Sequence, residues 1–408
     1  MADTGQTVSL LDRLKDPAVK EDPYPQYAEL RAQGRLVPTG YGGHITTHHA
    51  DSFTVLRDAR FSSNNRHQAG YDNIRQLVDQ IGLGDLFGMF ERLMLFADPP
   101  DHTRLRRIVS RAFTPKAVED IRPRIAKIVE GCLDAAAAIG GMEIVEDMAF
   151  PLPVTVISEM IGVPLEDHPQ LRAWTADAVK LLDPSDDIAA MLPAAGSVRE
   201  MRAYFDVLVD ERRKDLGDDL LSALIVAEDA GDHLTHDELI DTTILLFGAG
   251  HETTVNLISG GVLNLLRHPE QLQRLREEPS LIGSAVEELL RFGPPVQFSG
   301  RTVTTDLELA GVELHAGDQL IVLIAGANRD PDVFADPDVL DIGRSDNRHL
   351  AFGGGIHLCL GAPLARVEAQ EAIGQLVRRF PTLRLVSDRV TWKPTTTIRG
   401  PAQLPLAL

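Results

Sequence analysis

The stretch from His236 to Arg267, HDELIDTTILLFGAGHETTVNLISGGVLNLLR, constrains the fold most, because its pattern reads as one long helix. It carries Gly248 and Gly250 in its middle, where each glycine costs roughly 1 kcal/mol relative to alanine. Beside Glu252, Thr253 and Thr254, two such residues predict a deliberate local widening of the helix. The hydroxyls can divert backbone hydrogen bonds; a loosely packed helix is the plainer alternative. Helical pattern dominates the middle of the chain, with helices expected over Pro115–Ala138, Leu152–Ile161, Val198–Arg213 and Pro279–Phe292, and a last one over Gly361–Phe380. YPQYAELRAQG reads as a short helix stopped by Gly34. LVPTGYGGHITT reads as a hairpin turning at Gly40, Gly42 and Gly43, and RTVTTDLELAGVELHAGDQLIVLIAG reads as strands. The apolar, irregular segment Gly70–Phe96 reads equally well as a cavity lining or a packed surface loop. There is no linker and no repeat at a fixed period. Residues 1–408 are therefore expected to form a single domain, mainly α with small β-sheets. Its β-rich parts are expected at about 35–60, 295–325 and 382–408, and its helical parts at about 100–292 and 361–380.

A net charge of −20 argues against a general nucleic-acid binder, since phosphate recognition needs a basic face. Two cysteines far apart, Cys132 and Cys359, make no disulfide framework and point to a reducing cytoplasm. The N-terminal residues lack the pattern of a signal peptide, and no run is apolar for long enough to span a bilayer, so a soluble protein with no membrane association is expected. His44, His48 and His49 read as solvated hairpin surface rather than a metal site.

Cys359 lies in AFGGGIHLCLGAP. A lone cysteine is usually a small buried hydrophobe, but Phe352, Gly355, Cys359 and Gly361 have the spacing F-x-x-G-x-x-x-C-x-G. Glycines permit turns whose N–H groups approach one sulfur. A helix beginning just after Cys359, with Pro363 in its first turn, points its positive end at the same atom. Both effects favour a thiolate, and a thiolate in such a loop suits haem iron. Zinc is disfavoured, because no second cysteine or paired histidine stands at ligand spacing.

The stretch HLAFGGGIHLCLGAPLAR resembles the haem-binding loop of the cytochrome P450 superfamily, of the soluble bacterial, ferredoxin-dependent type. The resemblance runs from DPYPQYAELRAQG to the terminal AQLPLAL. It implies the family's fold, a triangular helical prism with haem b (iron protoporphyrin IX) between the long central helix and the Cys-loop helix. It implies that Cys359 is the metal ligand, that Phe352 packs near the macrocycle and that His357 reaches a propionate. His102 and Arg106, four apart in DPPDHTRLRRIV, and Arg301 resemble the remaining propionate partners. In EELLR, Glu288 and Arg291 stand three apart on one helix face; by resemblance they form a buried structural pair joined by Arg344. AGHETT resembles the oxygen-activating segment, in which Ala249 and Gly250 make room over the iron and Glu252 and Thr253 relay protons. His251 is given no role there.

The same resemblance implies a monooxygenase that inserts one atom of O2 into a small apolar substrate such as a polyketide, terpenoid, steroid or fatty acid. Two electrons would come from NAD(P)H through ferredoxin reductase and ferredoxin, to a protein expected to be a monomer. Arg104, Arg107 and Arg111 form a basic run in an acidic chain; they read as a solvated helix face or as a landing site for that acidic partner. The substrate pocket is expected to draw on Phe90, Leu93, Met94, Leu245, Gly248, Ala249, Gln297, Phe298, Ser299, Thr397 and Ile398. A peroxide-driven haem peroxygenase and a non-catalytic haem-thiolate sensor remain as alternatives; Glu252 and Thr253 speak against the first.

Overall fold

The structure is a computed structural model that describes residue 13 and residues 16–39, 43–183, 191–229 and 234–408. The long helix spans His236–Arg267 as the sequence predicts. Its start is set by a capping box: Thr235 Oγ1 accepts from the Glu238 N–H, and the Glu238 carboxylate accepts from the Thr235 N–H. Asp237 and Glu238 at one end and Arg267 at the other complement the helix dipole. At about 1.5 Å per residue it runs roughly 48 Å. Helices Pro151–Ile161, Leu192–Arg212, Ile282–Phe292 and Ala362–Arg379 pack around it. The helix is unbroken and does not widen. A Cβ on Gly250 would lie 2.8 Å from Ile157, and one on Gly248 would lie 3.6 Å from Thr175. The first glycine is there for helix–helix approach, and the second merely tolerates it.

The expected helices appear as Pro115–Ile139, Pro151–Ile161, Leu192–Arg212 and Ile282–Phe292, the last preceded by a tight turn at Pro279–Leu281. Ala362–Arg379 follows the glycine loop, and Tyr24–Gln33 ends at Gly34, whose φ of 147° no other residue adopts easily. The segment Gly70–Phe96 is not irregular. It folds as helices Tyr71–Gln80 and Gly84–Arg92 and a turn at Met94–Phe96, burying Val78, Leu83, Leu86 and Met89 against the helical core. Glycines at 82, 84 and 88 disguise that spacing in the sequence.

Five short strands form the main sheet, in the order Val37–Pro38, Gly43–Thr46, Gln319–Val322, Ser299–Val303, Phe61–Ser62. Val37–Pro38 and Gly43–Thr46 pair antiparallel as the hairpin requires; the expected turn glycines Gly40 and Gly42 lie outside the described residues. Gly43–Thr46 runs parallel to Gln319–Val322. A parallel pair needs a crossover, and here the whole helical body is that crossover. Pro405–Ala407 lies between Gly141–Glu143 and Arg384–Leu385, tying the C-terminal residues to a strand placed among the helices. Two stretches expected to be β-rich contain helix: His49–Val55 within 35–60, and the turn Ile324–Ala327 at the edge of 295–325. Both are too short to show a helical period. His49 is buried, with Nε2 on the Arg348 carbonyl and its N–H on Asp330, so it is not hairpin surface. No helix among the described residues is long and apolar enough to cross a membrane.

Candidate active site

The cysteine loop is shaped by its glycines. Gly353 and Gly355 take φ values of 71° and 64°, and a Cβ on Gly355 would lie 2.5 Å from the Leu56 carbonyl oxygen. The Cys359 N–H donates to the Phe352 carbonyl at 2.9 Å, closing the loop. Helix Ala362–Arg379 starts immediately beyond, and the N–H groups of Gly361 and Ala362 point at the Cys359 sulfur. Burial pushes the thiol up and outweighs these donors and the nearby Arg106 and Arg366 charges, so the loop alone does not ionise it. A metal cation would reverse that balance, because a coordinating thiol is deprotonated outright. Cys359 is nonetheless accessible, and so is Ala249 in the middle of the long helix. Surface exposed that deep in the fold marks an internal void.

Two arginines and two histidines converge on the same region. His102 and Arg106 come from helix Asp101–Val109, Arg301 from strand Ser299–Val303, and His357 from the loop. The His102 and His357 rings lie 4.4 Å apart, and the Nε2 of each is buried without a partner. Arg106 donates to the Leu358 carbonyl at 2.6 Å, and Arg301 to Ser299 Oγ at 2.8 Å and the Gly300 carbonyl at 2.7 Å. Among the described residues none of the four has a carboxylate within ion-pair distance; Asp98, whose charge reaches His102 and Arg301, is engaged by Ser62 and His67. The electrostatics record the imbalance. Burial and then the Arg301, His102 and Arg106 charges push His357 down to about 3. Burial takes Arg301 down to about 10. Four donors without an anion, two of them unpartnered, fit a group that carries carboxylates.

One turn along the long helix from Ala249, Thr253 Oγ1 donates to the Ala249 carbonyl at 3.2 Å. Glu252 is turned to the C-terminal hairpin, where Lys393 Nζ holds it at 2.5 Å. No hydrogen bond joins Glu252 to Thr253 among the described residues, so the acid–alcohol pair is adjacent in sequence but not in contact. The missing side chain of Gly250 makes room for Ile157. His251 is buried between Phe150 and Phe247, with Nδ1 on the Phe247 carbonyl.

Several expected pocket residues are spent elsewhere. Gln297 is buried, accepting from Tyr27 Oη at 3.0 Å and donating to the Pro294 carbonyl at 2.6 Å. Phe298 packs with Tyr27, Leu30 and Ile45. Leu93 and Met94 belong to the helical core, and Ile398 is buried where Val296 bridges to it. Phe90, Leu245, Gly248, Ala249, Ser299 and Thr397 keep accessible surface. The basic run also divides. Arg104 is paired with Asp101 at 3.0 Å and Glu238 at 2.6 Å, whereas Arg107 and Arg111 are exposed.

The structural pair is a closed network. Glu288 and Arg291 are fully buried and joined at 2.7 Å and 2.8 Å, and Arg344 Nε reaches both Glu288 oxygens at 3.2 Å. The Asp341 N–H and Asn347 Nδ2 also donate to Glu288, while Arg291 donates to the Asn328, Pro337 and Val339 carbonyls. Three polar residues near the loop escaped the sequence reading: Glu287, His349 and Arg366, with Arg366 bidentate on Glu287 at 2.6 Å and 2.9 Å. The doubled acid of EELLR was the available signal. Lys393 carried none, since nothing in the sequence brings residue 393 to residue 252.

Comparison with known proteins agrees with this geometry. The cytochrome P450 family model matches residues 87–396. Cytochrome P450 CYP107DY1 of Priestia megaterium is 42% identical over 368 residues, covering 89% of this chain and 88% of its own. Cytochrome P450 monooxygenase PikC of Streptomyces venezuelae is 42% identical over 395 residues, covering 94% and 91%. The crystal structure of P450BioI in complex with hexadec-9Z-enoic acid ligated acyl carrier protein superposes with a TM-score of 0.88 at 39% identity, covering 96% of this chain and 99% of that one. The family implies haem, whose two propionates would supply the anions that His102, Arg106, Arg301 and His357 lack. Sequence match, fold and donor set thus agree, and the chain belongs to the cytochrome P450 family, with bacterial monooxygenases among its relatives.

Proposed function

We propose that this chain, as a single domain over residues 1–408 and a cytoplasmic monomer, inserts one atom of O2 into a small apolar substrate. Haem b, held by Cys359, would supply the oxygen-activating iron centre. The Phe352 carbonyl accepts the Cys359 N–H, and Arg106, Arg301, His102 and His357 would hold the propionates. Ala249 leaves the void clear above the site, and Thr253 Oγ1 holds a proton beside it. Glu252 would bring protons from the hairpin side, exchanging its Lys393 contact for one toward Thr253. Phe90, Leu245, Gly248, Ala249, Ser299 and Thr397 would orient the substrate. Of the substrate classes polyketide, terpenoid, steroid and fatty acid, the fatty-acid-like one is supported by the P450BioI complex, which carries a fatty acid ligated to acyl carrier protein. Electrons would come from NAD(P)H through a reductase and a ferredoxin, with Arg107 and Arg111 as the steering charges; Arg104, already paired, is set aside.

The observation that carries this reading is the cluster of two arginines and two histidines, four donors without an anion, set around an accessible cysteine. The test is the haem-loaded protein reduced under carbon monoxide. The wild type is expected to give the family's long-wavelength Soret band, and Cys359→Ser is expected to lose it. An intact band in that variant would sink the assignment. Charge reversal at Arg107 and Arg111 should slow reduction by ferredoxin at low salt while leaving ligand-induced spectral shifts unchanged. Equal turnover with hydrogen peroxide alone would instead favour a peroxygenase.

A further inference from the structure

The two carboxylates of EELLR leave helix Ile282–Phe292 in different directions, because successive residues are about 100° apart around the axis. Glu288 enters the buried arginine network. Glu287 turns to the cysteine loop and grips both sides of it. Arg366, just after the loop, donates to Glu287 through Nε at 2.6 Å and Nη2 at 2.9 Å, and His349, just before it, lies with Nε2 at 3.1 Å. The Ala351 N–H donates to His349 Nδ1 at 3.2 Å. That makes Nδ1 the acceptor, so the ring proton sits on Nε2, facing the carboxylate.

Arg366 is also the link to the sulfur. Its guanidinium stands 4.5 Å from the centre of the Phe352 ring, whose carbonyl accepts the Cys359 N–H. Its charge favours the thiolate, as Arg106 does. Glu287 therefore neutralises a cation beside the proximal ligand. Burial alone would raise the Glu287 carboxyl, but Arg366 and His349 outweigh it and hold it at about 2, so the carboxylate is permanently charged in the working range.

We propose that Glu287 is a positioning residue for Cys359: through Arg366 and His349 it fixes the loop, and by cancelling the Arg366 charge it sets how strongly the sulfur donates to iron. This rests on the haem-thiolate reading. An uncompensated Arg366 draws electron density from the sulfur and favours the reduced iron; an uncompensated Glu287 does the opposite. A purely structural role would send both single variants the same way.

The test is dithionite titration of the haem-loaded protein, with the reduced carbon-monoxide spectrum recorded for each variant. Glu287→Gln is expected to shift the one-electron equilibrium toward the ferrous form roughly tenfold, about 59 mV upward. Arg366→Met should shift it downward by a similar factor, and the double variant should return close to wild type. Arg366→Lys keeps the charge and should stay near the wild-type potential even where the fork is lost. Shifts of the same sign in both single variants, or no shift in either with the band retained, would overturn the proposal. So would a change in Arg366→Lys as large as in Arg366→Met. Loss of the band already in wild type would fail the haem-thiolate reading instead, and the two failures are distinguishable.

Discussion

Glu288 and Arg301 are both buried charged residues, at 0% and 8% exposure, but their surroundings differ in kind. Glu288 accepts from two arginines, an asparagine and a backbone N–H, and Arg291 spends its remaining donors on carbonyls. Among the described residues the charged groups of Glu288 and Arg291 are all partnered, and only the Oδ1 of Asn347, at the edge of the network, is left over. Arg301 sits with Arg106, His102 and His357, all donors when charged, and meets only a hydroxyl and its neighbour's carbonyl. A complete network is scaffold: it holds its own geometry and has nothing left to offer a ligand. An incomplete one costs folding free energy, which a bound anion offsets. Two buried charge clusters in one protein are thus told apart by whether their donors and acceptors balance.

The largest expected effect breaks the complete network. Arg291→Ala leaves Glu288 charged in the core, and removing one partner of a buried pair typically costs about 3–5 kcal/mol. Urea unfolding should show that loss with haem or without it. Arg301→Met tests the other side of the comparison, because its two effects have opposite signs. Removing a cation held down at about 10 should stabilise the haem-free protein by at most roughly 3 kcal/mol. The same change should speed transfer of haem to an apoglobin acceptor. A haem-free protein that is less stable than wild type would mean that Arg301 is scaffold too.

The sequence carried the two clusters unequally. Glu288 and Arg291 are neighbours on one helix, so spacing alone placed them together. Helix periods also located the body of the fold to within a few residues at most ends. The donors around the void come from a helix, a strand and a loop more than fifty residues apart, and only the family resemblance joined them. Orientation was the least legible property. Gln297 and Phe298 lie on the expected segment but point into the N-terminal packing, and Gly250 faces Ile157. The Glu252–Lys393 contact depends on where a C-terminal hairpin lands, which no local pattern encodes.

The smallest expected effect concerns protons. A histidine titrates near 6.5 in the unfolded chain, and His357 is held at about 3 in the fold. Between those values the unfolded chain binds a proton that the folded haem-free protein does not. Stability is therefore intact above about 6.5 and falls as the pH drops toward 3, by roughly 2 kcal/mol at about pH 5. Carboxylates placed among the four donors would favour the protonated ring, so haem should flatten this dependence. Thermal melts near pH 7 and pH 5 should show a larger drop for the haem-free protein than for the loaded one. His357→Gln, which cannot titrate, should remove most of the difference. If it persisted in that variant, the proton would belong to another group, and the imbalance around His357 would not be what haem corrects.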